Sequence, residues 1–339
     1  MLAAFVFAAF TISASAADND LQPAAEIKLN ASVSQFLPSP DKKSVYFLNK
    51  SDGKIQRIDI AKKALDDTAI ELDGAEAITM SPDGKTIYAS ASPNGHNSNS
   101  GAEKEVGKIQ VVNLADQKVT STIEIKFDPF EIAADNSGKV YATGGSNQHT
   151  KVAVIDTKKK SIIADLGRVY MGANLRMAPD GKRMYFSTNG LSPGSAEGIW
   201  QAGGKRSTGP GGGPFVITSD GKFMVFQQSG LVLRLGKSVA DDMKEAAKVK
   251  PHRAAAIDVE GKSVWLATAE GELIKLSYPD FELETTLVLP KPAYQLYIDS
   301  SSKTLIAALD NKKDRRKFDK EPGVGNIAIF NLGEMKKRD

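Results

Sequence analysis

The chain has 339 residues, 44 Lys plus Arg against 41 Asp plus Glu, and no cysteine. That charge balance creates no whole-molecule field for nucleic acid or an anionic membrane, so an electrostatic partner must be recognised locally. The missing cysteines exclude disulfides, thiolate zinc sites, c-type haem attachment and a lipid-modified Cys.

Residues 1–16 (MLAAFVFAAFTISASA) are apolar and end in Ala14-Ser15-Ala16, the small-residue pattern of a secretory cleavage site, although no basic residues precede them. The stretch is too short to span a bilayer. It predicts a cleaved leader, then one mature domain over residues 17–339, exported to the periplasm or secreted, with no membrane anchor.

A strand is predicted over residues 25–29 (AEIKL). After it, a turn-forming stretch followed by an apolar strand recurs at 41–48 (DKKSVYFL), 83–90 (DGKTIYAS), 135–143 (DNSGKVYAT), 180–187 (DGKRMYFS), 220–227 (DGKFMVFQ), 258–267 (DVEGKSVWLA) and 299–308 (DSSSKTLIAA). Leading Asp residues are spaced by 42, 52, 45, 40, 38 and 41 residues. A period near 40 whose unit is strand, tight turn, strand predicts an all-β, seven-bladed β-propeller. In the second unit the strands fall at 75–80, 85–90, 107–113 and 119–125, and in the third at 130–134, 139–143, 150–156 and 161–166. The seventh offers only 294–298, 303–308 and 326–332, so the strand at 25–29 is expected to complete the last blade and close the ring.

Units four and five are expected to be ragged. Residues 205–214 (KRSTGPGGGP) make a poor outer strand, and 240–248 (ADDMKEAAK) have helical composition. Because strands alternate in direction, the Asp-Gly turns share one face. The other carries the long insertions at 92–106, 144–149, 189–197 and 310–325, the natural place for binding residues.

The turns Ser81-Pro82-Asp83-Gly84-Lys85 and Ala178-Pro179-Asp180-Gly181-Lys182, with strands such as Val152-Ala153-Val154-Ile155-Asp156, resemble those of bacterial YVTN-type, YncE-like seven-bladed propellers and, more distantly, lactonase-like propellers. The resemblance covers nearly the whole chain and rests on blade-forming residues. It implies export and a binding or scaffold role.

Chemistry-bearing motifs are sparse. Gly190-Leu191-Ser192-Pro193-Gly194 matches a nucleophile pattern, but Pro193 removes the N–H that an oxyanion hole takes from the residue after the serine. The glycine-rich 205–214 stretch lacks the phosphate-loop order and reads as a crossover loop. The three histidines, His96, His149 and His252, have no companion at metal-ligand spacing, so solvated loop histidines are expected; a composite of His96 and His149 with Glu103 or Glu105 is the alternative. No catalytic residue, metal ligand or cofactor is assigned.

Two candidate surfaces follow. Crossovers bring Phe127, Phe130, Tyr170, Asn174, Arg176, His252, Arg253, Tyr294 and Gln295 toward the channel mouth, where aromatic walls and convergent polar groups suit a polar or anionic ligand. In the last insertion, Lys312, Lys313, Arg315, Arg316, Lys317 and Lys320 face Asp310, Asp314, Asp319 and Glu321, and the core Arg315-Arg316-Lys317-Phe318 suits an acidic partner. The expected function is a monomeric, non-catalytic binding propeller engaging a protein, peptide or glycan. The alternative is a lactonase-like hydrolase with a metal or general-base site at the channel mouth.

Overall fold

The computed structural model describes residues 20–93, 95–96, 106–146, 149–170, 173–188, 195–201, 206–210, 212–238, 241–311 and 323–334. The expected leader, residues 190–194, Glu103, Glu105 and the basic core at 315–318 lie outside them.

The chain folds as an all-β propeller. Strand β1 (Ala25–Ala31) comes first, and the unit around Asp41 follows with β2 (Leu37–Pro38), β3 (Ser44–Asn49), β4 (Lys54–Asp59), β5 (Ala64–Leu65) and β6 (Ile70–Glu71). Next come β7 (Ala75–Met80), β8 (Thr86–Ala91), β9 (Gly107–Asn113) and β10 (Lys118–Ile125), then β11 (Pro129–Ala134), β12 (Lys139–Gly144), β13 (His149–Asp156) and β14 (Ser161–Tyr170). The series continues with β15 (Ala173–Met177), β16 (Arg183–Thr188), β17 (Ser195–Gln201) and β18 (Arg206–Pro210), and with β19 (Phe215–Ile217), β20 (Phe223–Phe226), β21 (Leu231–Arg234) and β22 (Lys244–Lys248). It ends with β23 (Ala254–Asp258), β24 (Ser263–Ala267), β25 (Glu272–Ser277) and β26 (Leu283–Val288), and with β27 (Ala293–Asp299), β28 (Thr304–Leu309) and β29 (Gly325–Asn331). Each run forms an antiparallel sheet in chain order, and β1 lies against β29 with Ala25 opposite Ile329 and Ile27 opposite Ile327.

Six sheets are thus four-stranded, and the one around Asp41 is not. The expectation of a seven-bladed propeller is corrected there: six sheets have the four-stranded form of a blade. Pro38 and Pro40 remove backbone donors and leave an inner strand of two residues. The outer position is shared by two-residue strands, with Asp66 between them drawn to the Arg57 guanidinium.

Two further expectations are overturned. Residues 206–210 do form an outer strand, with Pro210 opposite Ser195, because an edge position tolerates a missing donor. The helical composition at 240–248 yields strand β22, paired with β21 and largely exposed, because ladder pairing decides an outer position that needs no apolar stripe.

The second strand of each unit is buried on both faces, which explains its near-continuous apolar run; β28 and β24 are buried at every residue. The cores lie in the seams between sheets. Val140, Ala142 and Ile155 pack on Tyr88, Ile109 and Ile123, while Ile306, Ile327 and Ile329 of the last sheet pack on Val45, Phe47 and Ile58 of the first. A polar staple crosses three seams: Ser90 donates to the Phe130 carbonyl (3.3 Å), Thr143 to that of Ala173 (3.1 Å) and Ser187 to that of Gly213.

The Asp turns are built as their sequence demands. Ser81 Oγ donates to Asp83 Oδ1 (2.6 Å), which also takes the Lys85 N–H (3.1 Å), and Gly84 supplies φ of 68°. The Ser81 hydroxyl and the Lys85 amide hold the Asp83 carboxyl below its ordinary range.

Candidate functional site on the loop face

The crossovers and the connections between second and third strands converge on the face opposite the Asp turns, and there a chain of polar side chains links three sheets. Asp128 stands in the crossover before β11, only 1% exposed. His96, in the β8–β9 connection, donates from Nδ1 to Asp128 Oδ2 (2.7 Å), and Ser146, just past β12, donates its hydroxyl to the same oxygen. The other imidazole nitrogen, Nε2, faces Glu76 Oε1 of β7 at 4.0 Å, and Lys50 Nζ lies 3.5 Å from Glu76 Oε2.

The backbone is shaped to admit this contact. A Cβ on Gly145 would lie 2.1 Å from His96 Nδ1, so only glycine lets the imidazole reach the carboxylate. The Gly145 N–H binds the Asp128 carbonyl (2.9 Å), and Phe130 meets the His96 ring edge-to-face at 5.5 Å. His96 and Ser146 both donate to Asp128 Oδ2, so this carboxylate joins the β8–β9 connection to the residues after β12. It fixes loops.

The nine channel-mouth candidates do not form one pocket. Phe127 is buried in a seam with Ile109 and Ile123. Tyr294 is buried in another, its hydroxyl accepting from the Val33 N–H (3.1 Å) and lying 3.3 Å from the Ala31 carbonyl. Asn174 is buried in β15, and Gln295 is half-buried in β27 opposite Ala308. Tyr170 ends the outermost strand β14, opposite His149, far along the sheet from the inner strand. Arg176 lies 3.4 Å from Glu131 and lines a cavity of about 340 Å³ with Gln35, Thr79, Met80, Pro82 and Pro179. Pro82 and Pro179 belong to the Asp turns, so this cavity opens at the end of the channel opposite the expected mouth.

His252 and Arg253 do fall together, in the crossover from β22 to β23. Arg253 donates to Asp310 Oδ2 (3.0 Å), whose side chain is fully buried and which follows β28. This clamp ties two sheets where the basic insertion of the sequence begins. Of the composite of His96 and His149 with Glu103 or Glu105, the carboxylates lie outside the described residues, and His96 Nδ1 is held by Asp128. Among the described residues no three His, Asp or Glu side chains come together as a metal site. Asp128 and Ser146 were missed because single polar residues in a crossover carry no spacing pattern; the Gly144-Gly145-Ser146 run was the available signal.

Burial pushes the His252 imidazole down to about 4, although the Lys250 carbonyl partly favours the proton. An unfolded histidine takes its proton near pH 6.5, so between that value and about 4 the unfolded chain binds more protons and stability falls as pH falls. The expected loss from pH 7 to the lower end is about 3 kcal/mol. His252→Gln removes that slope; equal slopes in urea titrations of both proteins would show that another group sets it.

No protein-family model and no curated protein matches the sequence. Among solved structures, the chain is similar to the β-propeller domain of Cps50 (Swd1) from Myceliophteria thermophila, with a TM-score of 0.66 and 11% identity over 92% of this chain and 99% of that one. At that identity the likeness establishes the fold. The protein is a β-propeller.

Proposed function

We propose that the chain is an exported, non-catalytic binding propeller of YVTN type that engages an acidic protein, peptide or glycan through its loop face. The observation that carries the reading is the placement of the insertions: the β8–β9, β12–β13, β16–β17 and β28–β29 connections leave one end of the sheets, where the His96–Asp128–Ser146 and Arg253–Asp310 contacts pin the first, second and last of them. A stiff base lowers the ordering cost of binding. We read β1 as the strand that completes the last sheet, a reading that the β1–β29 register supports. Export rests on residues 1–16.

The charge of the β28–β29 insertion selects the partner's chemistry. A fluorescent oligoglutamate is expected to bind the mature chain with a salt-dependent affinity, and the double variant Arg315→Glu, Arg316→Glu to bind at least about tenfold more weakly with a flatter salt dependence. Lys85→Glu, on an Asp turn, should leave affinity unchanged. Equal losses in both variants, or no binding by the parent, would overturn the acidic-partner reading.

A further inference from the structure

A second recognition point lies one crossover away from the basic insertion. His252 is 5% exposed and forms part of the wall of a cavity of about 70 Å³ that Gln228, Lys250, Pro251, Arg253, Ala269 and Glu270 complete. Its Nδ1 sits 2.9 Å from the Lys250 carbonyl, an oxygen that can only accept, so Nδ1 carries the proton. Nε2 is therefore a lone-pair acceptor. It is buried and has no hydrogen-bond partner.

We infer that this cavity is a subsite for an uncharged hydrogen-bond donor, a hydroxyl or primary amide group of a bound ligand, which His252 Nε2 accepts. A buried acceptor without a partner is unfavourable, and the imidazole that carries this one lines the cavity. The imidazole resists protonation to about pH 4, so at neutral pH it cannot pair with an anion. The rim adds selectivity. Lys250 is paired with Glu272, and Arg253 with Asp310, so neither cation stands uncompensated, while Gln228 and Glu270 are exposed and can meet further polar groups of the ligand. The volume admits one small arm of a larger molecule.

The test uses the mature chain, acetamide as the probe and acetate as its donor-free counterpart of the same shape. Long-range proton–nitrogen NMR reads the His252 Nε2 signal, assigned by its loss in His252→Gln or, should that variant not fold, by elimination in His96→Gln and His149→Gln. Acetamide is expected to move the Nε2 signal saturably, and acetate at about tenfold higher concentration to leave it in place, because a site that needs a donor rejects the analogue lacking it. A signal moved equally by both would overturn the donor subsite. So would one moved by neither, which would mean that a trapped water alone satisfies the nitrogen.

Discussion

Deleting residues 20–31 is expected to cost the domain more than any single substitution, leaving it unfolded or aggregated at room temperature. Strand β1 covers β29, whose residues 327–330 are fully buried, and without it a row of β29 backbone groups loses its partners. Ahead of β1, Leu21 is buried with Trp265 and Leu273 and its N–H binds the Val288 carbonyl (2.8 Å), so the segment also ties down the edge of β26. Burying Leu21 alone is worth about 1.5–3 kcal/mol. Ala25, Ile27 and Leu29 pack on the seam between last and first sheets. The sum approaches the about 5–15 kcal/mol net stability of a whole domain. Urea unfolding and size exclusion measure it; a truncated monomer within about 1 kcal/mol of the parent would show that β1 does not hold the last sheet.

Asp128→Ala is expected to destabilise by about 2–4 kcal/mol, the largest effect of a single loop-face change. Both the His96 imidazole and the Ser146 hydroxyl spend a hydrogen bond on this one carboxylate oxygen, in a place where water does not replace it. Gly145→Ala should cost about 1–3 kcal/mol by pushing the imidazole off an intact carboxylate. Because both act through the same contact, the double variant should lose less than the sum of the two. Strict additivity in denaturant titrations would contradict the shared contact, and a loss below about 0.5 kcal/mol for Asp128→Ala would mean the network is ornamental.

The architecture was legible because its determinants are local and repeated. An Asp-led turn followed by an apolar strand recurs in every unit, and the strand at 107–113 was placed to the residue. What escaped was the outermost strands β18 and β22, whose pairing comes from a neighbour rather than from their own residues; β22 is largely exposed. The site was less legible still. His96 and Asp128 are 32 residues apart in different units, and nothing in either local sequence says they touch. The channel-mouth group failed for the converse reason: Phe127 and Tyr294 look like pocket aromatics in sequence, but the seams claim them first.

The most direct test of the binding face is hydrogen exchange of the mature chain with and without saturating oligoglutamate. The account predicts added protection in the β8–β9, β12–β13 and β28–β29 connections and in the crossovers at 126–128 and 250–253, with none at the Asp turns. Protection concentrated at the turns around Asp83, Asp180 and Asp220, or at the cavity lined by Arg176, would place the partner at the opposite end of the ring and contradict it.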